Sequence, residues 1–584
     1  MKNPLLIVLV IVLSQVSYAQ NFKFGKVSAE EIQEKYYPLD STANAAYLLK
    51  KRKTYTTVTG SGIVLITEVQ VRMKIYNQDG FDWATEKIKI FGGSNGEKVS
   101  NIKGYTFDII DGKIESTKLD KDDIFSEEKS ENYIVKTFTM PNIKEGSVLE
   151  WSYRIHSPYL NSIDDVVVQY EIPVKRFEAR IKLLEYFNFN KRQKGYYSFY
   201  AKESVELNSS LDTNDKVIEV FEDNIPALKP EPYVNNMVNY TAALQFEVAS
   251  LIAHEYGLYE KYATSWEQVV YNIYKNESFG HALKRTKHLK EDMVVLKTGL
   301  TSESDKINAA LKYVKEKIKW NGNFGFIPEE GVKKAYSEGA GNIGDINLTL
   351  VSVLKGLGLK ANPVLVSSRN KGISFFPTIR GLNYVIAVVE TEEGKVLLDA
   401  SEKYSLPNVL PLRALNWRGV VVKDEGKMEF VDLETSVLSK KVMKLSYSID
   451  DEGLVKGFNS VSYQNLASID YRDENSNLAE DKIISNIEQE NDDIEVLAFR
   501  LSNMDNLAKP ITEMYQFEKE DGVELIGEKM YISPLLFNAI DENPFKLEAR
   551  EYPIDFGAPW ERKSTATIKL PEGYQVEFIP ETVG

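Results

Sequence analysis

Residues able to do acid–base or nucleophilic chemistry are scarce in this chain. There are four histidines, His156, His254, His281 and His288, and no cysteine among 584 residues. The stretch GNIGDINLTLVSVLKGLGLKANPVLVSSR, residues 341–369, nevertheless has the layout of a nucleophile's seat. It reads as a glycine-rich turn, an acidic cap at Asp345, an apolar helix predicted over 346–357, a glycine stop and a strand. The positive end of a helix dipole lowers a thiol's pKa and stabilises an oxyanion, so the first helical position is where such chemistry is placed. Here that position holds Ile346.

Substitute groups are weak. A serine or threonine nucleophile needs a base to take its proton. Thr349, the nearest hydroxyl, falls in mid-helix, where bonding to a backbone carbonyl is expected. Lys355 on the same helix reads as a solvated surface lysine. LDKDD at 119–123 begins like a calcium loop, but no Gly or Glu follows at the required spacing, so a turn is expected. His281 and His288, seven apart on a predicted helix face, form a surface pair without metal-ligand spacing. No phosphate-binding or dinucleotide glycine motif occurs. Neither cofactor nor metal is expected.

Composition bounds the rest. The chain is 43% hydrophobic and 27% charged, ordinary globular material too long for one domain. A formal net charge of −15 argues against a nucleic-acid partner, which needs clustered Lys and Arg. MKNPLLIVLVIVLSQVSYAQ, with Lys2 before an apolar run and Ser17-Tyr18-Ala19 after it, reads as a signal peptide over residues 1–19, cleaved after Ala19. The run is too short to span a bilayer and nothing comparable follows, so the mature chain is expected to be periplasmic or secreted, without a transmembrane segment. With no cysteine, neither a lipoprotein anchor nor a disulfide can form, and stability must come from core burial.

The elements that would position a site follow from periodicity. Residues 20–59 read as a charged, partly helical segment. In EVQVRMKIY, Val69, Val71, Met73 and Ile75 face one way and Gln70, Arg72 and Lys74 the other, the pattern of a half-buried strand. Similar runs in YIVKTFTM, SVLEWSYRI and DVVVQYEIPV predict an antiparallel β-sandwich over residues 60–235, closed by the proline-rich linker EDNIPALKPEPYVNN. Ile307, Leu311, Val314 and Ile318 then mark an amphipathic helix. After residue 435, KVMKLSYSI and TIKLPEGYQVEFI predict a second, sandwich-like β domain over 435–584, whose final part can lie beyond the supplied sequence.

WNGNFGF, the 341–369 stretch, GLNYVIAVV and KVLLDA, in this order, resemble the core of bacterial transglutaminase-like proteins, which have a papain-like fold. The β flanks are similar to domains of unknown function that accompany this core in exported proteins of Gram-negative bacteria. The resemblance implies an α+β multidomain chain with the transglutaminase-like domain at 255–432. It also implies three catalytic positions: a cysteine after Gly-Asp, a histidine on the next strand and an aspartate beyond it. These fall on Ile346, Tyr384 and Asp399. Only Asp399 matches. Thiol catalysis is impossible without a thiol, and the phenol of Tyr384, with a reference pKa near 10, is no base at neutral pH.

A hairpin symmetric about Glu392 and Glu393 pairs Val389 with Val396 and puts Tyr384 on the face of Asp399, where the phenol can donate to the carboxylate. The expected function is that of an exported non-catalytic protein that binds a protein, peptide or glycan in the cell envelope. Two alternatives stand beside it: a peptide-bond hydrolase or acyltransferase of unrecognised mechanism, and a structural part of an envelope assembly.

Overall fold

The computed structural model describes residues 22–60, 62–93, 95–130, 133–491, 494–540, 542–579 and 581. The expected signal peptide and its cleavage site lie outside them. No helix among the described residues is long and apolar enough to cross a membrane. The chain is a mixed α+β protein with several sheets, and it divides into two compact units.

The first unit takes in the described residues of Met1–Phe187, with Tyr196–Lys229 and Thr241–Leu244. Its main sheet has eight strands in the order Ala201–Asn208, Thr213–Ile225, Val174–Leu183, Ala45–Thr59, Gly62–Ile75, Val148–Ser157, Lys98–Ile110 and Lys113–Lys118. A three-stranded sheet, with Tyr133–Thr139 at its centre, carries Phe138, whose ring meets that of Trp151 on the large sheet edge to face at 6.4 Å. Both rings are buried.

Three expectations are corrected here. Helix in the 20–59 segment is confined to Ala29–Gln33, and Ala45–Thr59 is a 15-residue strand. Pairing on both sides, with Gly62–Ile75 and Val174–Leu183, overrides a sequence with little alternation. DVVVQYEIPV forms the two-residue strand Val166–Val167 and only the first residue, Val174, of the strand Val174–Leu183. The strand Gly62–Ile75 is also not half-solvated at its end: Arg72 and Lys74 are buried. The short helix covers that polar face, so Arg72 donates to Glu31 at 2.9 Å and to Glu150 at 2.9 Å, while Lys74 donates to the carbonyls of Ile32 and Gly146. Charges in a dry interior persist only when paired in this way.

The second unit takes in the described residues of Asn188–Gly195, Pro230–Tyr240 and Gln245–Gly584. Helix α1 (Glu303–Lys317) buries Ile307, Leu311 and Val314, the predicted stripe. Helix α2 (Ile343–Gly356) is buried on every side from Ile343 to Leu354, as a helix apolar all round must be. It packs across strands β1 (Lys360–Val366) and β2 (Tyr384–Thr391) of a five-stranded antiparallel sheet completed by β3 (Gly394–Leu398), β4 (Arg418–Val422) and β5 (Met428–Asp432). In the β2–β3 hairpin Val389 pairs with Val396 and Ala387 with Leu398, the register expected from its loop.

Beyond it, β6 (Ser439–Ile449), β7 (Val455–Gln464), β8 (Glu495–Ser502), β9 (Ile511–Lys519) and β10 (Trp560–Lys569) form one sheet in the order β8-β9-β7-β6-β10. Helices α3 (Leu466–Asn475) and α4 (Glu480–Glu490) join this region. In place of the expected sandwich this region has one five-stranded sheet with helices and a small two-stranded sheet of Glu524–Ile526 with Lys529–Tyr531. Ile483 and Ile487, one turn apart on α4, supply the apolar layer that a second sheet would have given. The expected strand in YQVEFI is not formed either: the chain is irregular from residue 570 to 579.

Candidate functional site

Helix α2 starts three residues earlier than its apolar run suggests. Asn342 is the cap: its side chain accepts from the Asp345 N–H at 2.9 Å, and the Asp345 carboxylate accepts from the Asn342 N–H at 3.1 Å. Asp345 is therefore the third residue of the helix in a reciprocal capping box, not its cap. The same carboxylate takes the N–H groups of Glu329 and Glu330 at 3.3 and 3.4 Å. Burial pushes its pKa up, and these three backbone donors only partly oppose that.

The first helical position, where the dipole acts most strongly, is thus held by Ile343 and not Ile346. The two isoleucines, three residues apart and so about 60° apart around the axis, are neighbours on the helix but pack with different partners. Ile346 joins the buried cluster of Leu350, Val389 and Leu398, whereas Ile343 joins that of Leu348, Val366 and Tyr384. The helix start is thus corrected from Ile346 to Ile343, while the position that follows Gly344-Asp345 is still Ile346, buried in the fourth place of the helix.

Tyr384 and Asp399 meet. The phenol donates to Asp399 Oδ2 at 2.7 Å with both residues fully buried. Asp399 Oδ1 accepts from Asn347 Nδ2 at 2.9 Å, Ser401 N at 2.9 Å and Ser401 Oγ at 2.6 Å. Asn347 lies one turn beyond Ile343 on the same helix face, and its amide also donates to the Val385 carbonyl and accepts from the Ala400 N–H, both at 2.9 Å. Burial, then the neighbouring Asp399 carboxylate, push the Tyr384 pKa far above the ordinary phenol range, so it stays a donor.

A cation completes the group. Arg413 donates from Nε to the Tyr384 hydroxyl at 2.9 Å and from Nη1 to Glu402 at 2.7 Å, and its guanidinium lies 4.7 Å from the centre of the Trp320 ring. Burial works against its charge, but Tyr384, Asp399 and Glu402 outweigh it and raise its pKa. Phe324 sets its ring edge to face with Tyr384 at 5.8 Å. The sequence segments WNGNFGF, GLNYV and LLDA therefore converge on one hydrogen-bonded cluster, buried at Tyr384 and Asp399 and exposed at Phe324, with Arg413 beside the phenol.

Arg413, Ser401, Glu402 and Asn347 went unread in the sequence. Asn347 left a signal, an amide at a position four residues from Ile343 in an otherwise apolar run. Arg413 left none, because only the chain path after β3 brings it back. Thr349 bonds the Asp345 carbonyl at 2.7 Å, as its mid-helix position implies, and Lys355 reaches Asp424 at the surface. His281 and His288 do not share a helix face: they lie in separate short 3-10 segments, one capping Ala282–Lys284 and the other within Lys287–Leu289. His156, on a strand of the first unit, contacts Ser100 at 2.8 Å. His254 begins a 3-10 turn, and residues 121–123 of the acidic stretch form another.

Two expected results follow. Tyr384→Phe strips Asp399 Oδ2 of its donor and Arg413 of an acceptor, and should cost about 1–3 kcal/mol. Asp399→Asn should cost less, because its oxygen can face the three donors at Oδ1 while the amide faces a hydroxyl able to accept. Urea melts of both variants check the order, which equal losses would contradict. The second concerns Lys315, whose pKa burial lowers to about 8 against the opposing pull of Asp399 and Glu402. Between about 8 and the ordinary lysine value near 10.4, the unfolded chain holds a proton that the native state has lost. Stability should therefore rise with pH across that window. Lys74, lowered to about 8 by burial, adds a rise of the same sign. Lys315→Met should flatten the part of the rise read by amide exchange in α2, and an unchanged slope there would show the lysine to be solvated.

Comparison with known proteins adds fold and little else. A family described as a domain of unknown function with solved structure, DUF3858, matches residues 528–583, a small C-terminal part of the chain. Among solved structures, a "putative protease" from Parabacteroides distasonis is similar over 85% of this chain and 95% of its own, with a TM-score of 0.51 and 12% identity. At that identity the likeness is one of fold. No curated protein matches the sequence.

Proposed function

We propose that the chain is an exported, non-catalytic member of the transglutaminase-like proteins, of papain-like fold, that binds a protein, peptide or glycan in the cell envelope. The observation that carries this reading is the cluster at Tyr384 and Asp399. An acyl-transfer site of that kind needs a nucleophile at the helix start and a base beside it. Here hydrocarbon occupies the first, a protonated phenol the second, and Arg413 fills the remaining space. The absence of any cysteine removes thiol catalysis outright. On this reading Ile346, Tyr384 and Asp399 are the refilled positions, and the flanking sheets are binding or spacing domains.

The description of the Parabacteroides protein favours a second reading, a peptide-bond hydrolase working without a thiol. One experiment separates the two. The purified chain is incubated with casein and with a glutamine-donor peptide plus a fluorescent amine, beside a heat-treated control. No cleavage and no amine incorporation are expected, and thiol reagents should change nothing. Casein cleavage above control, abolished by substitution of a single residue, would replace the binding reading with the hydrolase one.

A further inference from the structure

The face of the C-terminal sheet that carries α3 and α4 changes character along its length. At one end Leu445, Tyr447, Val455 and Phe517 pack with Ile483 and Ile487 of α4 in a buried cluster. Further along, positions of the same alternation hold polar groups on three neighbouring strands: Asn459 on β7, opposite Leu445, then Glu513 on β9 and Lys441 on β6. These line a cleft of about 530 Å3 between the sheet and the two helices. Polar side chains at inward positions cost stability unless something pairs with them.

The pairing inside the chain is incomplete. Glu513, 7% exposed, accepts from Tyr471 at 2.6 Å. Asn459, 1% exposed, donates from Nδ2 to the Tyr515 hydroxyl at 2.8 Å, but its Oδ1 meets no donor among the described residues. The helices add Asp470, Glu474 and Glu490 to the lining, so four carboxylates face one lysine. That lysine lies 5.3 Å from the centre of the Tyr463 ring, which in turn meets the Tyr471 ring at a tilt of 39° with 4.6 Å between centres. An orphan acceptor, a carboxylate excess and tyrosine faces all favour one chemistry: a positive charge that carries N–H donors.

We propose that this cleft binds an organic cation, an ammonium or guanidinium group that donates to Asn459 Oδ1 and is neutralised by Glu513 and the carboxylates of α3 and α4. Burial raises the pKa of Glu513 against the pull of Tyr471 and Lys441, a cost that a bound cation removes. The site is independent of the Tyr384–Asp399 cluster, and stands whether or not that cluster is catalytic.

The test is calorimetric titration of the full chain with N-acetyl-arginine amide and with its uncharged isostere N-acetyl-citrulline amide. The arginine probe should bind at least about tenfold more tightly, the loss of a charge-assisted bond being worth about that factor or more. Glu513→Gln should weaken it by about tenfold or more, and the paired exchange Glu474→Gln with Glu490→Gln by several-fold, with unaltered thermal melts. Glu542→Gln, an exposed residue outside the cleft, should change nothing. If Glu513→Gln fails to fold, the paired exchange decides. No heat at millimolar arginine probe would make this a water-filled cleft, and equal affinity for both probes, or binding that survives the paired exchange, would equally overturn the proposal.

Discussion

Arg413→Met should unfold the second unit's core more readily than any other single change in its polar cluster, by about 3 kcal/mol. Removing the guanidinium leaves Glu402, whose side chain is 5% exposed, without its ion pair, and takes from the Tyr384 hydroxyl its charged donor, with Ser401 Oγ remaining 3.0 Å away. Asp399, fully buried, loses one of its two neighbouring cations, Lys315 being the other. The value is the low end of the range for breaking a buried pair because the Arg413 side chain is itself 22% exposed and water can enter from that edge. Arg413→Lys should recover part of the loss, since an ammonium keeps the charge but cannot span Tyr384 and Glu402 with a planar fork. The chain has two compact units, so a single melting midpoint would mix them. Amide exchange in α2 and β2 reads the local opening directly. A loss under about 1 kcal/mol would mean that solvent already hydrates the two carboxylates.

Ile343→Ala and Ile346→Ala should each cost about 2–4 kcal/mol, because both side chains are fully buried and a cavity adds to the lost transfer energy. Their effects should be distributed differently. Ile346 packs in the cluster of α1, so its truncation should raise exchange in α1 as well as α2. Ile343 packs in the cluster of Tyr384, so its truncation should raise exchange in β1 and β2. The two side chains are neighbours about one turn apart on the helix, so their costs should depart from simple addition by about 0.5 kcal/mol or more in the double variant. Losses below about 0.5 kcal/mol at either site would show a helix start open to solvent, and an accessible cleft beside Tyr384 would then be the better description.

The elements whose side-chain period matches one structure were legible in the sequence. The stripe Ile307, Leu311, Val314 and Ile318 specifies a helix, and the Glu-Glu-Gly tip with alternation around it specifies the β2–β3 hairpin and its register, so Tyr384 could be placed beside Asp399 from spacing alone. Composition alone excluded a thiol. Local pattern could not place the start of α2, because an apolar run shows where a helix is buried and not where its cap lies; the Asn342-Ile343-Gly344-Asp345 box was present in the sequence but fell outside that run. Other features depended on partners distant in the chain. Ala45–Thr59 is a strand because two others flank it, and Arg72 is buried because a helix 41 residues away covers it. Arg413 meets Tyr384 across 29 residues, and Asn459, Glu513 and Lys441 share a cleft only once three strands are in register. Hydrophobic period is a property of neighbouring residues, so the sequence by itself determined the local elements and the missing thiol. Long-range pairing of charges and amides depends on which strands end up adjacent, and only the tertiary structure decided that.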